Sequence, residues 1–281
     1  MLELPEVEVL RKDLEKEVVG KRIKEADVHI ARIVRPFHHT RPHFKDALEG
    51  RKIEGVRRRG TFLFLDLDED VTWVIDPGDN ATLHRETMNE EAGPDTDVVV
   101  RFTTGGAIHV TDHTKGESCR MGVVPTEDVL DELGVPETSL DLFEDTPTWL
   151  EFGDALRSAA QPMKSLLMDT DHFLGIGPVY SDESLWEAGI AYDRDSSTLS
   201  TQEVRRLYRA IHEVLQAAMK QRGSSLDDAT PDEIFDEEGV PIEHLKVYGR
   251  EGQPCLRCRR EILCTKVKRG LYTFRCEGCQ M

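Results

Sequence analysis

The chain has 281 residues, enough for two domains and a small appendage, and is 38% hydrophobic and 32% charged. Its 36 Lys/Arg face 54 Asp/Glu, a net charge of −18 that taken whole opposes a polyanionic partner. No run of about 18 apolar residues offers a membrane span, the start is charged from Glu3 onward, unlike a secretory signal, and 6 cysteines are too sparse for a disulfide-stapled secreted module. The charge is uneven. Residues 1–60 hold 15 Lys/Arg and 11 Asp/Glu and residues 240–281 hold 9 and 4, whereas residues 61–239 hold 12 and 39. A nucleic-acid surface would draw on the two basic ends.

In chain order, the first predicted element is a helix. Pro5 suits an opening turn, Val7, Leu10, Leu14 and Val18 recur at helical spacing, and Gly20 is a stop. Short β-like runs follow at 22–29, 52–56, 61–67, 72–75, 97–103 and 107–111, separated by Gly and Asp/Asn turns. This pattern predicts a sandwich or barrel. The acidic, turn-rich stretch 125–145 is expected to be a surface excursion or linker. Helical periodicity then takes over at 150–159, 162–167, 181–188 and 201–222. Ser200 with Glu203 forms a capping-box signature, and Gly223-Ser224-Ser225 is the expected end of the last helix. Residues 227–239 are acidic and expected to be exposed. A third unit from Lys246 onward is organised by cysteines.

The strongest chemical signal is Cys255-x2-Cys258 with Cys276-x2-Cys279. Each pair can place two thiolates on one side of a tight turn, and two such turns close a tetrahedral all-sulfur site that favours zinc. Such a closed site is structural, and it supplies folding energy that a unit of about 35 residues lacks. The residues between the pairs read as two strands of a hairpin. Cys119 and Cys264 are left over and read as buried apolar residues. A second signal is Gly175-Ile176-Gly177 feeding a helix, a turn able to aim N–H groups at a phosphate. On local pattern alone a tight helix–helix connection is the favoured explanation, and Pro178 removes one N–H. Arg57-Arg58-Arg59 could clamp phosphates or form a solvated turn. His38, His39 and His43 have no Cys or carboxylate at ligand spacing and read as a surface loop.

Three separated pieces then coincide. The opening Met1-Leu2-Glu3-Leu4-Pro5-Glu6-Val7-Glu8, the stretch Met163-Lys164 through Gly175-Ile176-Gly177-Pro178 to Glu183-Ser184-Leu185, and the tail Val247-Tyr248-Gly249-Arg250 through Cys255 to Cys279-Gln280 resemble the formamidopyrimidine-DNA glycosylase / endonuclease VIII family in order and spacing. The resemblance implies an α+β fold: an N-terminal β-sandwich with a leading helix, a helix-two-turn-helix domain and a C-terminal zinc-finger β-hairpin. It also implies a flipped-out damaged base, attacked in active members by an N-terminal proline amine that forms a Schiff base and nicks the strand. On this basis domains are expected at 1–125, 148–240 and 241–281, with an acidic linker at 126–147. DNA contacts are expected from Arg58, Arg59, Lys164, Gly175, Gly177, Tyr248 and Arg250.

The departures fall on the chemistry. Leu2 replaces the proline and is too bulky for usual Met1 removal, so the amine is displaced by one residue, although Glu3, the family's acid/base carboxylate, is kept. Thr61 stands at the family's phosphate-binding lysine, Leu271 at its finger arginine and Pro178 at the asparagine after Gly-Ile-Gly. Asp79 stands at the void-filling methionine, and the other void-filling positions fall near Cys119 and Met121. Each lost charged contact is worth on the order of 1.5–3 kcal/mol. Three readings stay open. One is a DNA reader of damaged or distorted duplex without standard glycosylase/lyase activity. Another is an active enzyme using the Met1 or Leu2 amine with Glu3. The last is a scaffold reused for RNA, a ribonucleoprotein or a protein partner. A cytoplasmic monomer holding one zinc ion is expected.

Overall fold

The computed structural model describes residues 2–78, 81–86, 93–228, 244–267 and 271–281. They form two compact units, one built on the residues up to Pro136 and the other on Glu137–Gln221 with the C-terminal segment.

The first unit opens with α1 (Leu4–Val18), whose Pro5 sits in the first turn where no N–H is needed. The Glu6 carboxylate turns back to accept the Glu3 N–H at 2.9 Å, closing the helix start. The apolar stripe Val7, Leu10, Leu14 and Val18 is buried. Two antiparallel four-stranded sheets follow. One has β2 (Ile53–Arg59), β3 (Phe62–Leu67), β4 (Val71–Asp76) and β8 (Arg120–Pro125) in that order. The other has β1 (Ile23–Val28), β6 (Val98–Phe102), β7 (Ala107–Asp112) and β5 (Ala81–Glu86). One core cluster takes Leu63, Leu65, Trp73 and Ile75 from the first sheet and Ile23, Val98, Val100 and Ile108 from the second, so the sheets form a sandwich capped by α1. α2 (Arg41–Leu48) adds Phe44 and Leu48 to that core.

Several elements depart from the sequence expectation. β5, β8 and α2 are additional to the predicted list. β5 and α2 mix polar residues into short runs, and the apolar run of β8 is short and interrupted by Gly122 and Pro125. The stretch expected as a linker contains α3 (Val129–Leu133), and Val129, Leu133, Val135 and Leu142 are buried. The expected surface loop of histidines is partly interior, since His38 is buried.

The second unit contains α4 (Trp149–Ala159), α5 (Met163–Leu167), α6 (Pro178–Ala188) and α7 (Thr201–Asp228), then the hairpin β9 (Leu263–Lys266) and β10 (Tyr272–Arg275). α4 starts with a capping box of Thr148 and Glu151. α7 runs through Gly223-Ser224-Ser225 rather than ending there. A glycine inside a helix costs about 1 kcal/mol and does not by itself stop one. The acidic stretch expected to be exposed lies outside the described residues beyond Asp228.

Candidate metal centre and nucleic-acid interface

The two Cys-x2-Cys turns bring the sulfurs of Cys255, Cys258, Cys276 and Cys279 within 4.8 Å of one another. The Cys255–Cys279 pair is 3.8 Å apart and the Cys258–Cys276 pair 3.3 Å. A tetrahedral ion with metal–sulfur bonds of about 2.3 Å has an edge near 3.8 Å, so this all-sulfur set is of a size to close around one cation. A side chain at Gly278 would crowd the second turn, because a Cβ there would lie 2.8 Å from Arg260 Cδ and 3.0 Å from Cys258 Sγ. Burial raises the Cys255 thiol, but the N–H groups of Cys258 and Arg257 overcome it and bring it down to about 6. Burial and the neighbouring sulfurs push Cys279 up to about 12. A cation among four such sulfurs removes the repulsion that stops them ionising together.

The cysteine finger is anchored on α6 by two adjacent buried carboxylates. Asp182 accepts Thr273 Oγ1–H at 2.6 Å and Phe274 N–H at 2.8 Å from β10, and pairs with Lys164 Nζ at 2.6 Å. Glu183 accepts the successive N–H groups of Lys246, Val247 and Tyr248 at 2.8–3.1 Å. Burial holds the Glu183 carboxyl above its usual range despite these donors. Trp186 packs with Val247, Cys255, Ile262 and Cys276 in the finger's small core.

The predicted interface residues fall into distinct groups. Lys164 is 3% exposed and also donates to the Pro178 carbonyl at 3.2 Å, so its cation lies inside the fold. Gly175 has φ +82°, which a side chain would resist, and Gly177 is the N-cap of α6 with Pro178 at its first position. Tyr248 lies edge-on to Phe274 with ring centres 4.8 Å apart. Arg250 donates to the Lys246 carbonyl at 2.7 Å and to Gln253 Oε1 at 3.1 Å. Leu271, half-buried, closes the hairpin by accepting the Val267 N–H.

In the first unit Glu3 is the buried N-cap of α1, and the Leu2 side chain packs against the sandwich core. Arg58, on β2, is 4% exposed and paired with Glu8 of α1 at 3.0 Å, so it serves the join of helix and sheet rather than the surface. Arg59 is half-buried, and Thr61 follows it in the β2–β3 turn. Met1 and Asp79 lie outside the described residues. Cys119 and Met121, near which two void-filling positions were expected, are both core residues. Cys119 is the buried apolar cysteine expected of it, and Cys264 is half-buried.

Sequence reasoning missed what shapes the loop between β7 and β8. The Asp112 carboxylate accepts N–H groups from Thr114, Ser118 and Cys119 at 2.8–3.0 Å. Arg120 then grips Asp76 at 2.6 Å. An Asp ending a strand before a Gly- and Ser-containing loop is a signal for such a turn.

Known proteins share this architecture. Residues 1–118 match the formamidopyrimidine-DNA glycosylase N-terminal domain, and residues 140–230 match that family's H2TH domain. A formamidopyrimidine-DNA glycosylase of Enterococcus faecalis is 35% identical over 289 residues, covering 100% of this chain and 97% of that one. Its counterpart in Desulfitobacterium hafniense is 31% identical over 281 residues, covering 100% of both. Among solved structures, Lactococcus lactis Fpg in complex with FAPY-dG-containing DNA is 27% identical with a TM-score of 0.85, covering 99% of this chain and 100% of that one. The same protein with abasic-site-containing DNA gives a TM-score of 0.86, also at 27% identity, covering 99% of each chain.

Proposed function

Because this chain belongs to the formamidopyrimidine-DNA glycosylase family, we propose that it is a DNA reader of damaged or distorted duplex in which the standard glycosylase and abasic-site lyase chemistry is lost or impaired. Leu2 carries this reading. Where the family offers a reactive proline amine, this chain has an apolar side chain packed on the sandwich core. Covalent catalysis needs its nucleophile within about 3–3.5 Å of the reacting carbon, so a leucine packed on the core in place of the proline takes away that geometry. Thr61, Pro178 and Leu271 replace three further polar contacts, and Asp79 would put a carboxylate where the family inserts methionine.

The scaffold for holding DNA is kept. The helical segment within 148–240, with Gly175 and Gly177, and the finger within 241–281, with Tyr248 and Arg250, would grip the backbone. Arg59 would contribute from the sandwich within 1–125. Zinc is the ion that a four-thiolate site of this size favours. Held by Cys255, Cys258, Cys276 and Cys279, it would fix the finger's fold and supply no hydrolytic chemistry. No helix is long and apolar enough to cross a membrane among the described residues. A monomer working on DNA in the cytoplasm fits this role.

One observation favours a second reading, an active lyase: Glu3 is retained at the N-cap of α1, beside the chain start. Borohydride trapping on a duplex bearing one abasic site separates the two. The DNA reader binds in a band-shift assay and gives neither adduct nor nick. An adduct mapping to Met1 or Leu2 establishes the enzyme. Absence of both adduct and shift moves the protein to an RNA or protein partner.

A further inference from the structure

The finger carries five described arginines, and three are held by other groups of the protein. Arg250 holds its own turn through Lys246, Gln253 and Pro254. Arg257 lies 3.9 Å over the Trp186 ring and pairs with Glu187 at 2.6 Å. Arg275 pairs with Glu277 at 2.8 Å. Arg259 and Arg260 differ. Both are exposed, and neither has an ion-pair or side-chain hydrogen-bond partner among the described residues. Glu261, next along the chain, is exposed as well and pairs with neither.

Arg259 is further marked by its backbone. Its φ is +65°, the left-handed region that disfavours any residue with a Cβ and suits glycine. A long cation kept where glycine would relieve strain points to a task for the side chain. Residues 240–281 hold 9 Lys/Arg against 4 Asp/Glu, so this unpaired pair of cations belongs to a basic end of a chain that carries −18 overall. Leu256, 50% exposed in the same turn between two cysteines, adds an apolar contact beside them.

We propose that Arg259 and Arg260 form a phosphate clamp at the metal-binding turn of the finger, gripping the backbone of duplex DNA and offsetting the cation absent at Leu271. This rests on the DNA-reader function proposed above. A single-residue change separates the clamp from the fold, because Arg259→Gly removes the cation while relaxing the backbone.

The experiment is fluorescence anisotropy of a labelled abasic-site duplex with the full-length metal-loaded protein, titrated with salt. Wild type, Arg259→Gly, Arg259→Lys and Arg260→Ser are compared, with metal content and thermal midpoint measured for each. For Arg259→Gly the expected result is unchanged metal content and a midpoint equal to or above wild type. Its binding should be about fivefold weaker at 0.1 M salt, with a salt slope shallower by about 0.9. Arg260→Ser should weaken binding similarly, and Arg259→Lys should restore the slope. If wild type binds and both charge-removing variants keep its affinity and slope, the clamp is overturned and the DNA-reader function stands. If wild type itself fails to bind duplex, both are overturned.

Discussion

His38 lies inside the first unit with its ring used as an acceptor: the Val123 N–H donates to Nε2 at 2.9 Å, and Nδ1 lies 3.2 Å from His43 Nδ1. Protonation would turn that acceptor into a donor facing a donor. Burial, then the neighbouring His43 and His39, bring the group down to about 4. An unfolded imidazole titrates near about 6.5, so between these values the unfolded chain binds more protons. The contribution of His38 is therefore complete above about pH 6.5 and is lost as pH falls towards 4. Urea unfolding across pH 7.5 to 4.5 should show that loss, and His38→Gln, whose carbonyl can accept the same N–H, should flatten it. An unaltered pH slope in the variant would show the ring is not responsible. Glu8 adds a loss at lower pH. Burial raises it, but Arg11 and Arg58 pull it below the usual carboxylate range, so its stabilisation disappears as pH falls through that depressed value.

α6 is an unusual helix, because the successive polar residues Ser181, Asp182, Glu183 and Ser184 are all buried. Their partners explain it: Asp182 and Glu183 together accept five hydrogen-bond donors from the finger segments around 246–248 and 273–274, besides the Lys164 ammonium. Removing the metal should thus be felt in the helices as well as in the finger. Donors to a charged group are each worth about 1.5–3 kcal/mol, so losing several costs on the order of 5 kcal/mol. Chelation, or Cys258→Ser, should release the ion, redden Trp186 emission and lower the unfolding midpoint of the whole second unit. Metal loss with unmoved fluorescence and midpoint would mean that the finger folds apart from α6. This element also marks the limit of what sequence discloses. Local periodicity exposed α1, most sandwich strands and the main helices, and cysteine spacing exposed the metal centre. Arg58 and Lys164 are expected at DNA, and nothing in the local pattern sets Asp182 and Glu183 apart as buried groups. What buries them is contact with residues tens of positions away, which no window of ten or twenty residues contains. β5 was missed for a related reason, since the polar side chains of an edge strand dilute its alternation.

Across the whole molecule, 36 basic against 54 acidic residues leave few cations to exchange for DNA counterions, and two of the most recognisable, Arg58 and Lys164, are buried in ion pairs. Duplex binding should therefore depend weakly on salt. Four phosphate contacts, from Arg59, Arg250, Arg259 and Arg260, would give a slope of about −3.6 and about a 150-fold loss of affinity between 50 and 200 mM salt, against roughly 10³–10⁵ for a protein making 6–10 contacts. A slope steeper than about −5 would mean that a larger basic surface engages the DNA. The burial of α6 also bears on how the protein is made. Glu183 waits 63–65 residues for its donors and Asp182 waits 91–92. At roughly 5–20 residues per second, a ribosome takes on the order of 5–20 s to deliver them. For that interval the two carboxylates stay hydrated and the face of α6 that the finger covers, Trp186 included, stays open to proteases and chaperones until the last segment emerges and closes over it.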